Sequence, residues 1–241
     1  MAYFQGFILP VPEKNKEAYR KMAQDVAPFF ADYGALRTVE CWGDNVPQGK
    51  TTDMYGAVNA VEGENIVFSW INWESKQACD EAAENMTKDK RMEEPGEMPF
   101  DGMRMIYSGF ELLGEKGENG PTGYVQGYVA PVEKQKREPF ALMCATMREV
   151  AIDSGALHAI DGWAEKIEDG KLTDFKRAVK AETGEAVAFG FVEWPTKEAY
   201  ERGSAKMRED KRMPPPGADM PVDGKRMIFG GFDVLLVVDS D

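Results

Sequence analysis

Histidine is nearly missing from this chain: His158 is the single imidazole in 241 residues. A haem or metal centre built on it would have no further imidazole ligand, so neither a metal nor a cofactor is expected. Cysteine is almost as scarce. Cys41, Cys79 and Cys144 form no C-x-x-C pair, and they read as small buried apolar side chains of a reduced, cytoplasmic protein. No apolar run reaches the roughly 18 residues that a membrane-spanning helix needs. The opening MAYFQGFILPVPEKNK lacks a basic segment and a small-residue cleavage site, and reads as mature protein. Positive charge is also in short supply, with 29 Lys and Arg against 42 Asp and Glu and a formal net charge of −13. A polyanion would have to approach against that field and would find no basic stripe, so nucleic acid and membrane are not expected partners. What remains is ordinary for a globular protein: 43% hydrophobic and 29% charged residues, enough to build a core.

The dominant feature is self-similarity between the two halves of the chain. Tyr3-Phe4-Gln5-Gly6 returns as Tyr124-Val125-Gln126-Gly127, and Gly34-Ala35-Leu36 as Gly155-Ala156-Leu157. Trp42 returns as Trp163, and Asp89-Lys90-Arg91-Met92 as Asp210-Lys211-Arg212-Met213. After one inserted residue, Met98-Pro99-Phe100-Asp101-Gly102 matches Met220-Pro221-Val222-Asp223-Gly224, and Arg104-Met105-Ile106 matches Arg226-Met227-Ile228. A polar, glycine-rich stretch separates the copies. The boundaries read as a first module over 1–114, a linker over 115–122 and a second module over 123–241.

Within a copy the hydrophobic period alternates between two and 3.6. Tyr3–Val11 reads as a strand, Glu13–Tyr33 as a helix and Leu36–Trp42 as a second strand. Ala57–Val61 and Asn65–Trp73 read as a hairpin about Glu62-Gly63-Glu64, Ser75 caps a second helix, and Arg104–Leu113 is the last strand. The order is β-α-β-β-α-β with an extra hairpin arm, an α+β ferredoxin-like module. Both faces of the strands are apolar: Ile66, Phe68 and Trp70 on one side, Val67, Ile71 and Trp73 on the other. The sheet face without helices therefore needs a second sheet, which the other copy supplies as an intrachain pseudo-dimer. Nothing in the sequence speaks for or against further assembly into a homo-oligomer. The fourteen methionines read as core packing, and the Asp-Lys-Arg-Met and Met-Pro strings as a structured loop before the last strand.

Taken together, Y-x-x-G-F-x-x-P-V-P, Glu40-Cys41-Trp42, the G-K-x-T-D segment, D-x-R-M and Met98-Pro99-Phe100-Asp101-Gly102 through Gly109-Phe110 resemble the YbaA-like bacterial domain of unknown function. The resemblance covers nearly the whole chain, twice. It implies two ferredoxin-like modules packed sheet to sheet as a dimeric α/β barrel within one chain. Relatives in that superfamily include cofactor-free monooxygenases, isomerases, polyketide cyclases, haem-degrading enzymes and binding proteins. Two departures from the family pattern stand out. Gln5 and Gln126 replace its first-strand Asp, and its basic residue survives as Arg177 but is Gly56 in the first copy.

Polar residues inside apolar strands mark the candidate site. Glu40 and its counterpart Asp161 lie near Trp42 and Trp163, and a carboxylate against an indole can have a raised pKa and serve as a general base. The bland alternative is a strand-end acid or a structural ion pair. Arg104 and Arg226 would either clamp an anionic substrate or anchor to Asp101 and Asp223. Gln5 and Gln126 would orient a ligand or hydrogen-bond between sheets. A composite site would then set Glu40 with Arg104 in one half and Asp161 with Arg177 and Arg226 in the other. Two functions stand side by side: a cofactor-independent oxygenase, isomerase or cyclase acting on a small organic molecule in the barrel cavity, and a non-catalytic small-molecule-binding or stress-associated protein.

Overall fold

The computed structural model describes residues 2–92, 97–215 and 217–240. In the first half β1 (Tyr3–Pro12), α1 (Lys16–Asp32), β2 (Ala35–Asn45), α2 (Met54–Ala57), β3 (Glu64–Trp73), α3 (Lys76–Met86) and β4 (Ile106–Gly117) follow one another. The second half repeats them as β5 (Tyr124–Glu133), α4 (Arg137–Asp153), β6 (His158–Ala164), α5 (Phe175–Ala178), β7 (Glu185–Trp194), α6 (Lys197–Glu209) and β8 (Ile228–Asp239). Each half is ferredoxin-like, and the halves join at both sheet edges. β2 pairs with β8 and β4 with β6, closing one antiparallel barrel of order β1-β3-β2-β8-β5-β7-β6-β4. Closure removes the unpaired edges that two separate sheets would leave.

Alternation along the strands sends aromatic side chains into the barrel. Phe4, Phe68, Trp70, Phe110, Phe189, Phe191 and Phe232 are all buried in one cluster. Counterparts from the two halves meet there: Phe68 stacks on Phe189 with centroids 4.6 Å apart, and Trp70 on Phe191 at 3.8 Å. Rings of this size each bury on the order of 150–250 Å², and they fill the interior. Among the described residues the space between the sheets is therefore a packed core in place of the barrel cavity expected from the sequence, and the two cavities described below lie outside the barrel, under the helices.

Two local expectations are also corrected. The segment Ala57–Val61 is no hairpin arm. The Asp53 side chain accepts from the Gly56 amide at 2.7 Å, satisfying one of the free donors of a helical first turn, and the chain forms α2 instead. Asp174 caps α5 in the same way through the Arg177 amide. Thr52 donates to the Ala178 carbonyl at 2.6 Å and Thr173 to the Ala57 carbonyl at 2.5 Å. These reciprocal bonds seat Met54, Val58, Phe175 and Val179 against the barrel core. The expected linker is also shorter, because Glu115 and Lys116 still pair with Ile160 and Ala159 of β6.

A second group of inward-facing residues is polar. Arg37, 2% exposed, meets Glu193, 0% exposed, at 3.0 Å across the barrel. Thr122 donates to the same carboxylate at 2.6 Å, and Asp239 accepts from Arg37 at 2.6 Å. His158, paired with Glu193 in the β6–β7 register, is buried with Nε2 3.4 Å from Glu115. The three cysteines are free and buried. No helix among the described residues is long and apolar enough to cross a membrane.

The architecture makes one expectation concrete. Residues 1–116 expressed alone would leave the outer edges of β2 and β4 without their β8 and β6 partners and the aromatic face of the sheet bare, so the fragment should dimerise or aggregate. Sedimentation of the purified fragment checks this, and a well-folded soluble monomer would overturn it.

Candidate functional site

The outer face of each half-barrel is covered by its two longer helices, and each half has a cavity between helix and sheet. The larger, of about 380 Å³, lies in the second half; its counterpart in the first is about 170 Å³. Small-molecule sites usually measure roughly 300–1,000 Å³, so only the larger is of ordinary ligand size. Two aromatic rings that line the smaller cavity have smaller counterparts in the second half. Phe30 and Phe100 in the first half correspond to Ala151 and Val222 in the second.

Each cavity wall carries the carboxylate singled out from the sequence, but the two environments differ. Glu40, on β2, accepts from the Tyr19 hydroxyl of α1 at 2.7 Å. Burial pushes its carboxyl up to about 7, with hydrogen bonds from Tyr19 and Ser69 opposing that rise. In the second half Asp161, on β6, is held by both the Tyr128 hydroxyl of β5 and the Arg148 guanidinium of α4. Burial, and next the Asp161 charge, raise Tyr128 well above the ordinary phenol range, so the ring keeps its proton. Tyr128 stands where the first half has Phe7, Phe140 where it has Tyr19, and Arg148 where it has Ala27. The hydroxyl has thus moved from helix to strand, and a guanidinium has been added.

Two glycines make room for this cluster. A Cβ at Gly190 would collide with the Tyr128 ring and Asp161, and one at Gly114 with the Arg148 guanidinium. Ser69 and Leu236 occupy the corresponding positions around Glu40, Leu236 facing it in the β2–β8 register as Gly114 faces Asp161. The rest of the larger cavity is apolar. Met143 and Met147 come from α4 and Met207 from α6, while Met213, Met220 and Met227 come from the loop before β8. Methionines read from the sequence as core packing thus line a cavity, and polarisable, unbranched side chains of this kind adapt to ligand shape. Cys144 also lines it, its thiol pushed up by burial and by Asp161. Residues 93–96 and Pro216, inside the two long loops before β4 and β8, lie outside the described residues.

The other candidates fall elsewhere. Arg104 is in a short 3-10 turn (Gly102–Arg104) ahead of β4, not on the strand. It binds Glu64 through both terminal nitrogens at 2.7 Å, together with Asp101 and the Asn59 carbonyl. Arg226 makes the same bonds to Glu185, Asp223 and the Lys180 carbonyl. Both are structural anchors and line neither cavity, because bidentate carboxylates already use their guanidinium edges. Arg177 bonds the Gly170 carbonyl and Asp174 beside α5, also away from the cavities. The composite site of carboxylates with these three arginines therefore does not form. Trp42 and Trp163 pack beneath α1 and α4 against Tyr19 and Phe140, and neither lines a cavity. Gln5 accepts from the Trp73 indole at 3.1 Å, whereas Gln126 lines the larger cavity. Tyr128 and Arg148 were not picked out by sequence reading, although comparing the repeats position by position exposes both.

Comparison with known proteins gives the following. Residues 2–102 and 123–224 each match the profile described as "Protein of unknown function (DUF1428)". The uncharacterised protein YbaA of Escherichia coli (strain K12) is 55% identical over 114 residues, covering 47% of this chain and 97% of that protein. Among solved structures, an anthrone oxidase-like protein superposes with a TM-score of 0.56 at 14% identity, covering 99% of this chain and 93% of its own. A Lactobacillus acidophilus protein provisionally assigned as a monooxygenase gives a TM-score of 0.52 at 12% identity, covering 99% and 96%. At such identities the likeness is one of fold, the dimeric α/β barrel.

Proposed function

Because the chain belongs to the DUF1428 family, as a tandem duplication of a unit with no established function, we propose a function from its own geometry: the second-half cavity binds a small, largely apolar ring compound with an oxygen substituent, and turns it over without a cofactor. One observation carries this reading, the Arg148–Asp161–Tyr128 cluster set into an otherwise apolar, methionine-lined cavity of ligand size. A few convergent polar groups on an apolar wall are the common form of a small-molecule site. The guanidinium of Arg148 bonds Asp161 through one nitrogen, and its remaining donors suit a substrate carbonyl or the oxyanion formed from it. Asp161 is the carboxylate of the cavity wall, placed to take an acidic C–H proton whose charge delocalises onto that carbonyl. Removing that proton is a step common to isomerase, cyclase and cofactor-free oxygenase chemistry, the last using dioxygen as co-reactant. The printed descriptions of the two fold neighbours, an anthrone oxidase-like protein and a provisional monooxygenase, agree with the oxygenase branch by analogy of fold.

A second reading is binding without turnover. Asp161 already accepts from both Tyr128 and Arg148, so each carboxylate oxygen is engaged by a donor within the protein. The two readings separate with anthrone, a tricyclic ketone whose acidic CH2 group is conjugated with the carbonyl through the fused rings, as the probe. Under turnover, Asp161→Asn lowers the rate of dioxygen uptake at saturating anthrone about 100-fold or more, and Arg148→Met weakens binding. In either reading Asp161→Asn should affect binding more than Glu40→Gln does, by over about 1 kcal/mol. Binding without dioxygen uptake or isomerisation selects the second reading. Failure of wild-type protein to bind anthrone or 2-naphthol in calorimetric titration would overturn both.

A further inference from the structure

The two halves treat one glutamine–tryptophan pair differently. Gln5 and Trp73 sit on β1 and β3, two residue pairs apart in register and so on one face, and the Trp73 indole N–H donates to the Gln5 carbonyl at 3.1 Å. Gln126 and Trp194 hold the same positions on β5 and β7, with Tyr124 opposite Trp194 and Gln126 opposite Val192. Trp194 is fully buried, yet its indole N–H has no partner among the described residues. An acceptor able to satisfy it stands at the position where the other half uses one, and here that side chain lines the larger cavity beside Tyr128. A buried donor left unpaired is costly and uncommon in native proteins. The Trp70 indole inside the barrel is likewise unpaired, so the link to the cavity is made by Gln126 itself: it lines the larger cavity, whereas Gln5, bonded to Trp73, does not line the smaller one.

We infer that Gln126 is a specificity-determining residue of the second-half cavity, released from the structural bond that Gln5 makes in order to read a second polar group on the ligand. This rests on the binding site proposed above and narrows its ligand class. A primary amide offers one acceptor and two donors, so it suits a hydroxyl, which gives and receives. The ligand is then an apolar ring compound with two oxygen functions, one against Arg148 and one against Gln126.

The test has a ligand-free arm and a ligand arm. In the free protein, the indole N–H signals of an ¹⁵N-labelled sample are assigned by single Trp→Phe variants. Gln5→Leu should move the Trp73 signal, while Gln126→Leu should leave the Trp194 signal in place. A Trp194 signal that moves in Gln126→Leu as Trp73 does in Gln5→Leu would overturn the inference. In the ligand arm, 2,6-dihydroxynaphthalene should bind wild-type protein about tenfold more tightly than 2-naphthol. Gln126→Leu should bring the two to parity, and Gln5→Leu should keep the preference while lowering the melting temperature. Persistence of the preference in Gln126→Leu would overturn the assignment. If neither compound binds wild-type protein, the cavity reading fails, and the indole signals still decide whether Gln126 is free of Trp194.

Discussion

Replacing Arg37 by methionine is expected to destabilise the folded chain by about 3–5 kcal/mol, the range for removing one partner of a buried ion pair. The reason lies in what would be left behind. Glu193 is 0% exposed, and its only other side-chain bond among the described residues is from the Thr122 hydroxyl. Without the guanidinium its charge would stay inside the barrel with one neutral donor, or would be neutralised by taking up a proton. Asp239, the other partner of Arg37, is largely solvent-exposed, so losing that contact adds little. The pair also joins the two halves: Arg37 belongs to the first and Glu193 to the second, while the counterparts His158 and Asn72 could not reproduce it. The double variant Arg37→Met/Glu193→Met should recover most of the loss, because apolar packing often replaces a buried ion pair at no net cost. Urea unfolding of wild type, both single variants and the double variant closes the cycle. A single-variant loss below about 1 kcal/mol, with no recovery in the double, would show that the pair is not holding the halves together.

This pair also illustrates how far the sequence could be read. The repeat, its strand order and the need for a second sheet are legible because identical residues recur at one spacing and both strand faces are apolar. Glu40 and Asp161 stand out as charges in apolar strands, and both do line cavities. The arginines misled for a physical reason. Arg104 and Arg226 share a strand-like pattern with Ile106 and Ile228, and only the fold brings Glu64 and Glu185, at the starts of β3 and β7, to their guanidinium groups. Arg148 was overlooked because a charge within a helix usually reads as solvated. Its significance needs α4 laid across β6, with Gly114 making space on the next strand. The cavity itself was misplaced because strand alternation shows that a face is apolar but not whether facing rings will fill the gap. Phe68 on Phe189 and Trp70 on Phe191 fill it.

Glu40→Gln should make the protein more stable above neutral pH and change it little in acid. Burial raises the Glu40 carboxyl from 4.5 to about 7, so the folded state holds a proton that the unfolded chain has released over that interval. A carboxyl whose folded value lies above its unfolded value contributes fully below the unfolded value, and that contribution is lost as pH rises through the folded one. Wild-type protein should therefore lose stability relative to the glutamine variant between about pH 4.5 and pH 7. At 1.36 kcal/mol per pH unit the difference reaches about 3 kcal/mol by pH 8. Glutamine keeps the shape and still accepts from Tyr19 through its carbonyl oxygen, so the variant isolates the charge. Chemical unfolding of both proteins at pH 4, 6 and 8 measures the divergence. Parallel stability curves across that range would mean that Glu40 ionises as a solvated carboxylate, and the raised value that makes it a candidate base in the first-half cavity would have to be given up.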